Sequence, residues 1–149
     1  MRHIFSLELA MVRETGGPKI CGPQDTYRVC ADIAGLAQET FHVLLVDAKN
    51  KLVKRALVGV GIVDACLVHC REVYRLAVET GASAVIAAHN HPSGEATPSA
   101  EDLRITRQLV EAGKILDIKL LDHVVIGRDD PVSGRPAFVS MRESGLVQF

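Results

Sequence analysis

Tryptophan is absent from this 149-residue chain, and its only other large aromatics are two tyrosines and four phenylalanines, 4% of the total. Binding platforms for single-stranded nucleic acid rely on stacked rings of this kind, so the composition gives that function little support. Charge of one sign is lacking as well. Seventeen Lys and Arg stand against 18 Asp and Glu, a formal net charge of −1, which argues against a strongly basic nucleic-acid binder. No apolar run reaches the roughly 18–20 residues of a membrane span; the longest, at residues 43–46 and 85–88, are strand-sized. The first residues, Met1-Arg2-His3-Ile4, have no signal-peptide layout. Four cysteines (Cys21, Cys30, Cys66 and Cys70) are too few for a disulfide framework in a chain of this size. The expectation is a cytoplasmic protein with no membrane association.

What is present is ordinary globular material: 48% hydrophobic and 23% charged residues, enough for the core of one domain. There is no internal repeat. Residues 4–12 alternate loosely and predict a first strand, broken at Gly16-Gly17-Pro18. With that break they form an N-terminal segment over residues 1–22, ahead of a main domain over 23–149. Pro23 suits a first helical turn, and Val29, Ile33, Leu36 and Ala37 recur at helical spacing, predicting a helix over 24–38 that ends at Glu39. Residues 41–47 and 52–60 predict a hairpin around Ala48-Lys49-Asn50-Lys51. Asp64 is placed to cap a helix running to Thr80 and closed by Gly81. Strands are predicted at 83–88, 118–126 and 137–140, with a helix from Pro98 to about Gly113. The alternation predicts an α/β layered domain, a mixed β-sheet flanked by helices.

The informative stretch is His89-Asn90-His91-Pro92-Ser93-Gly94 through Pro98-Ser99-Ala100-Glu101-Asp102. It follows an apolar strand, in which positions i and i+2 share a face, so His89 and His91 can present two imidazoles to one point. Asp102, in the first turn of the next helix, can return a carboxylate to the same place. Two His and one Asp leave one coordination position open, as in catalytic rather than structural zinc sites. Commonplace readings compete. Histidines in a loop are often ordinary polar residues, Ser99-x-x-Asp102 is a capping pair, Thr97 with Pro98 is an alternative cap, and an acid in a first helical turn is favourable without any metal. None of these explains two histidines at the mouth of a buried strand. Cys66, His69 and Cys70 sit at helical spacing among apolar neighbours, which favours packing over a second metal site. His123 reads as a structural or rim residue.

The spacing His-x-His, seven residues, Ser, two residues, Asp resembles the JAMM motif of the JAB/MPN metallopeptidases. HNHPSG, LLDHVVIG, REVYRLA, FHVLLVDAKN and SMRESGL more specifically resemble the bacterial RadC-like branch, over about residues 24 to 147. The resemblance implies a cytidine-deaminase-like three-layer fold holding one Zn2+ per chain, with His89, His91 and Asp102 as metal ligands. It also implies that Glu39 handles the proton of the attacking water and that Ser99 donates to the developing oxyanion. The implied activity is zinc-dependent hydrolysis of a peptide or isopeptide bond in a polypeptide substrate. Zinc-deaminase and zincin spacings are absent. The departures expected from the branch are the lack of the helix-hairpin-helix region that many of its members carry, Cys70 where a proline is usual, and a longer stretch at residues 128–136. A DNA-repair association and a catalytically silent interaction module are the alternatives. Arg104, Arg107 and Lys114 on one helix read as a solvated face, and no strong nucleic-acid binding is expected.

Overall fold

Strand β1 (Thr40–Val46) is buried along its whole length, as is β3 (Ala84–Asn90). Successive side chains of a strand point to opposite faces, so such strands need cover on both sides. The computed structural model, which describes residues 17–61 and 68–149, supplies that cover with helices. On one face Val43, Leu45, Val85 and Ala87 pack with Val73 and Ala77 of α2 (Cys70–Thr80) and Leu109 of α3 (Ala100–Leu116). On the other, Leu44, Val46, Ile86, Ala88, Val124 and Ile126 pack with Ile20, Cys30 and Ile33 around α1 (Pro23–Cys30). The result is the three-layer α/β arrangement expected from the sequence.

The sheet order is β2-β1-β3-β4-β5, with β2 at Leu52–Val60, β4 at Lys119–Ile126 and β5 at Phe138–Ser140. β3 and β4 are parallel; the other neighbouring pairs are antiparallel. The parallel pair is joined through α3, a βαβ unit that places the end of β3 beside the start of the helix. In sheets with parallel pairs, sites tend to form at the carboxyl ends of the strands.

Three helix boundaries differ from expectation. The first helix ends at Cys30 and tightens into a 3-10 turn at Ala31–Ile33 instead of continuing to 38. Arg55 donates to the Val29 carbonyl and to Asp32, satisfying an orphan acceptor at the helix end, and Leu36 is left exposed. The next helix begins at Cys70, with Val68 and His69 outside it; His69, in extended backbone, holds the N-cap position. It closes at Gly81 with φ 65°, as expected. The third helix passes through Gly113 and ends at Leu116, capped by Asp117, whose φ is 57°. Gly113 is a packing position: a Cβ there would sit 2.5 Å from the Tyr74 hydroxyl oxygen. The expected strand at 4–12, the capping Asp64 and Cys66 lie outside the described residues.

Candidate metal centre

The end of β3 and the start of α3 bring the motif together. His89 is buried on the α3 side of the sheet, with its ring stacked on Phe41. Asn90 points the other way, and His91 follows just past the strand. The His91 backbone N–H donates to the Ile126 carbonyl, extending the β3–β4 ladder by one residue. The two imidazoles meet with Nε2 atoms 3.0 Å apart. Asp102 brings Oδ1 to 3.3 Å from His89 Nε2 and Oδ2 to 3.1 Å from His91 Nε2. Ligand atoms held about 2.0–2.1 Å from one tetrahedral ion stand about 3.3 Å from one another, so these spacings suit a common ion. Glu39 completes the group from the other side, with Oε1 3.5 and 3.7 Å from the same two nitrogens. All four ligand atoms lie within 4.8 Å of one another.

The loop after His91 holds this geometry. His91 Nδ1 lies 2.7 Å from the Glu95 carbonyl oxygen, which can only accept, so that nitrogen carries a hydrogen and a neutral ring turns a bare Nε2 toward the site. Gly94 takes φ +85°, a left-handed conformation that favours glycine. Arg128 donates to the Pro92 and Ala34 carbonyls, bracing the loop against the segment that leads to Glu39. Gly127 allows the closest approach, since a Cβ there would fall 2.2 Å from the Gly94 oxygen.

Ser99 and Asp102 form the reciprocal capping pair that their spacing suggests. The Asp102 N–H donates to Ser99 Oγ at 3.1 Å, and the Ser99 N–H donates to Asp102 Oδ2 at 2.8 Å. Capping and metal ligation do not compete here. Oδ2 is tied to the helix start, while Oδ1 faces His89. The Ser99 hydroxyl accepts in the cap and keeps its own hydrogen to donate.

Glu39 is fixed through its neighbours. Asn90 Oδ1 accepts from the Thr40 N–H at 2.7 Å and from the Thr40 hydroxyl at 2.8 Å, and Asn90 Nδ2 donates to the Gln38 carbonyl at 2.9 Å. One fully buried amide thus grips the backbone on both sides of Glu39. The Glu39 carbonyl accepts from the Gly61 N–H at 2.7 Å, and a Cβ on Gly61 would press on the Glu39 side chain at 3.2 Å. His123 lies beneath the site rather than at its rim. It is fully buried, with Nε2 2.8 Å from His89 Nδ1. Asn90, Thr106 and His123 are outside the motif spacing. Their only sequence signal is that a polar residue in an apolar strand or helix face must find a partner.

Charge follows from this packing. Burial pushes Asp102 up, but the adjacent imidazoles of His89 and His91 and the Ser99 N–H outweigh it and hold the carboxyl well below the usual range. Burial pushes His91 down, but Asp102, the Glu95 carbonyl and Glu39 outweigh it and raise its pKa above the ordinary 6.5. Burial holds His123 well below that value. In the metal-free protein the raised His91 contributes stability below the ordinary value, and this contribution is lost as pH rises through the raised one. Any metal must displace the His91 proton. Affinity for added zinc is therefore expected to weaken as pH falls, starting above 6.5, with His91 alone contributing up to about one log unit per pH unit. Asp102 stays ionised and adds nothing to that loss. Zinc titrations between about pH 5 and 8 check this, and a flat profile contradicts it.

On the surface of α3, Arg104 pairs with Glu101 and Lys114 with Glu111, all well exposed. No helix among the described residues is long and apolar enough to cross a membrane.

Comparison with known proteins places this geometry in a family context. A family model described as RadC-like JAB domain matches residues 20–146. The chain is 44% identical over 129 residues to UPF0758 protein STH371 of Symbiobacterium thermophilum, covering 86% of this chain and 52% of that protein. It is 43% identical over 124 residues to UPF0758 protein lwe1562 of Listeria welshimeri, covering 83% and 52% respectively. It is 40% identical over 131 residues to a UPF0758 protein of Methanosarcina acetivorans, covering 87% and 54%. The chain therefore spans about half the length of the curated relatives it matches.

Proposed function

We propose that this chain, which belongs to the RadC-like JAB domain family, is a zinc-dependent hydrolase that cleaves a peptide or isopeptide bond in a polypeptide substrate in the cytoplasm. The observation that carries the reading is the convergence of two imidazole nitrogens and one carboxylate at separations of 3.0 to 3.3 Å, with a second carboxylate slightly farther out. The donor set fits a divalent ion of borderline softness, with His89, His91 and Asp102 as ligands. When bound, such an ion acidifies water and polarises a carbonyl.

The remaining steps belong to the chain. Glu39 Oε1 lies 3.5 and 3.7 Å from the two nitrogens, farther out than Asp102 and on the other side of the group. Its carboxylate takes a proton from the attacking water and delivers it to the leaving amine. The Ser99 hydroxyl, held at the first turn of α3, donates to the oxygen of the carbonyl under attack.

Elemental analysis after zinc loading is expected to find about one zinc per chain, and a set of quenched fluorescent peptides and isopeptides should be cleaved by the loaded protein and not after chelation. No bound zinc under any loading condition would overturn the reading. The near-neutral charge and the pairing of Arg104 and Lys114 on α3 favour a polypeptide over a nucleic acid. Tight duplex binding with a steep salt slope would count against this preference.

A further inference from the structure

Neither the motif spacing nor the ligand set explains the buried hydrogen-bond chain behind His89. Thr106 Oγ1 lies 2.6 Å from the Asp102 carbonyl oxygen, 2.5 Å from His123 Nδ1 and 3.2 Å from Met141 Sδ. His123 Nε2 lies 2.8 Å from His89 Nδ1. Counting hydrogens outward from the Asp102 carbonyl gives the chain a direction. The Asp102 carbonyl can only accept, so the single Thr106 hydrogen goes to it in preference to the weaker sulfur acceptor. Thr106 Oγ1 is then an acceptor toward His123, whose Nδ1 must carry its hydrogen. A neutral imidazole has one donor and one acceptor, so His123 Nε2 is bare and accepts from His89 Nδ1–H. That leaves His89 Nε2 without a hydrogen, facing His91 and Asp102.

We propose that Thr106 and His123 are positioning residues that lock His89 in the tautomer able to bind a metal, through a chain that begins on the backbone of Asp102 and ends on the ring of His89. The inference rests on the metal reading above for its purpose, but not for its geometry. His91 obtains the same tautomer from the Glu95 carbonyl. His89, buried in the core, obtains it from a second histidine. Phe41 holds both rings, stacked on His89 and edge-on to His123 at centroid distances of 5.9 and 5.2 Å. His123 and Thr106 are both fully buried, so water has little access to replace either partner.

The test compares wild type with Thr106→Val, His123→Leu and His123→Gln. In metal-free protein, long-range 15N–1H correlations should show His89 in the Nδ1–H form. Thr106→Val keeps the shape but removes the acceptor for His123, and His123→Leu removes the acceptor for His89. Both are expected to move His89 toward the Nε2–H form and to weaken zinc binding by about 10–100-fold in chelator competition. His123→Gln places an amide oxygen near the lost Nε2 and should recover most of the affinity. A purely structural role predicts unchanged zinc affinity in folded variants, and that result overturns the proposal. Should His123→Leu fail to fold, wild-type His89 found as Nε2–H overturns it alone. Wild-type His89 found as Nδ1–H in a protein that takes up no zinc supports the relay and overturns the metal reading instead.

Discussion

Asp102→Ala is expected to abolish stable metal binding and hydrolysis together while leaving the fold in place. Asp102 supplies the only anion among the three proposed ligands, so its loss should cost more than the roughly 10–100-fold that removal of an outer hydrogen-bond partner costs. The effect on the fold should be small. Within the helix cap, the alanine backbone N–H still donates to Ser99 Oγ and the reciprocal bond from the exposed Ser99 N–H is lost; the contacts of Asp102 with His91 and His89 are lost with it. Asp102→Asn separates the two roles of the side chain. The amide oxygen can still cap the helix, but the negative charge is gone, so zinc affinity should fall with little change in thermal stability. His91 gives an internal check. With the carboxylate that raises its pKa removed, it should titrate at lower pH in both variants, visible in its ring proton shifts. A variant Asp102→Ala that retains wild-type zinc content would remove Asp102 from the ligand set.

The sequence made the ligand group legible because local rules converge there. Alternation in a buried strand puts His89 and His91 on one side, and Ser99-x-x-Asp102 marks a helix start. A short loop between them leaves little freedom in where the carboxylate goes. Glu39 is legible only through family resemblance. Fifty residues separate it from His89, and what brings them together is the antiparallel pairing of β1 with β3, in which Phe41 faces His89. The same long-range pairing explains why the helix expected to run up to Glu39 does not. Arg55, on the hairpin strand, terminates that helix at Cys30 from across the layer, an interaction with no local signature. His123 was harder still. A histidine beside an aspartate in a strand gives no hint that Asp122 turns to Ser140 and the Arg142 backbone while His123 turns inward to His89.

These long-range contacts matter most for the proton. Asn90, between the two proposed ligand histidines, grips the residues on both sides of Glu39, so the strand that carries the imidazoles also sets the height of the carboxylate. The motif and Glu39 are thereby one rigid unit rather than two elements that happen to meet. A substitution such as Asn90→Ala disturbs the placement of Glu39 without touching a ligand, which makes the glutamate's role separable from metal binding.

Glu39→Gln provides the decisive separation. The amide is nearly the same size, and Glu39 is only partly buried, so the fold should be unaffected. His89, His91 and Asp102 remain, so zinc content should stay at the wild-type level. The amide cannot accept a proton from water, so hydrolysis should fall by about 100-fold or more, the usual contribution of a positioned base, with little change in KM. A fourth-ligand role predicts a different pattern, in which zinc affinity and activity decline together. If Glu39 merely ends a segment, neither quantity moves. Other acids are poorly placed to substitute. Glu72 pairs with Arg75 on the exposed face of α2, and Glu101 pairs with Arg104 on that of α3. Among the described residues, Glu39 is the one glutamate grouped with the two histidines and Asp102. Full activity in Glu39→Gln would therefore leave the proposed ligands in place but remove the base from the mechanism, and with it the argument that Asn90 fixes the carboxylate for proton transfer.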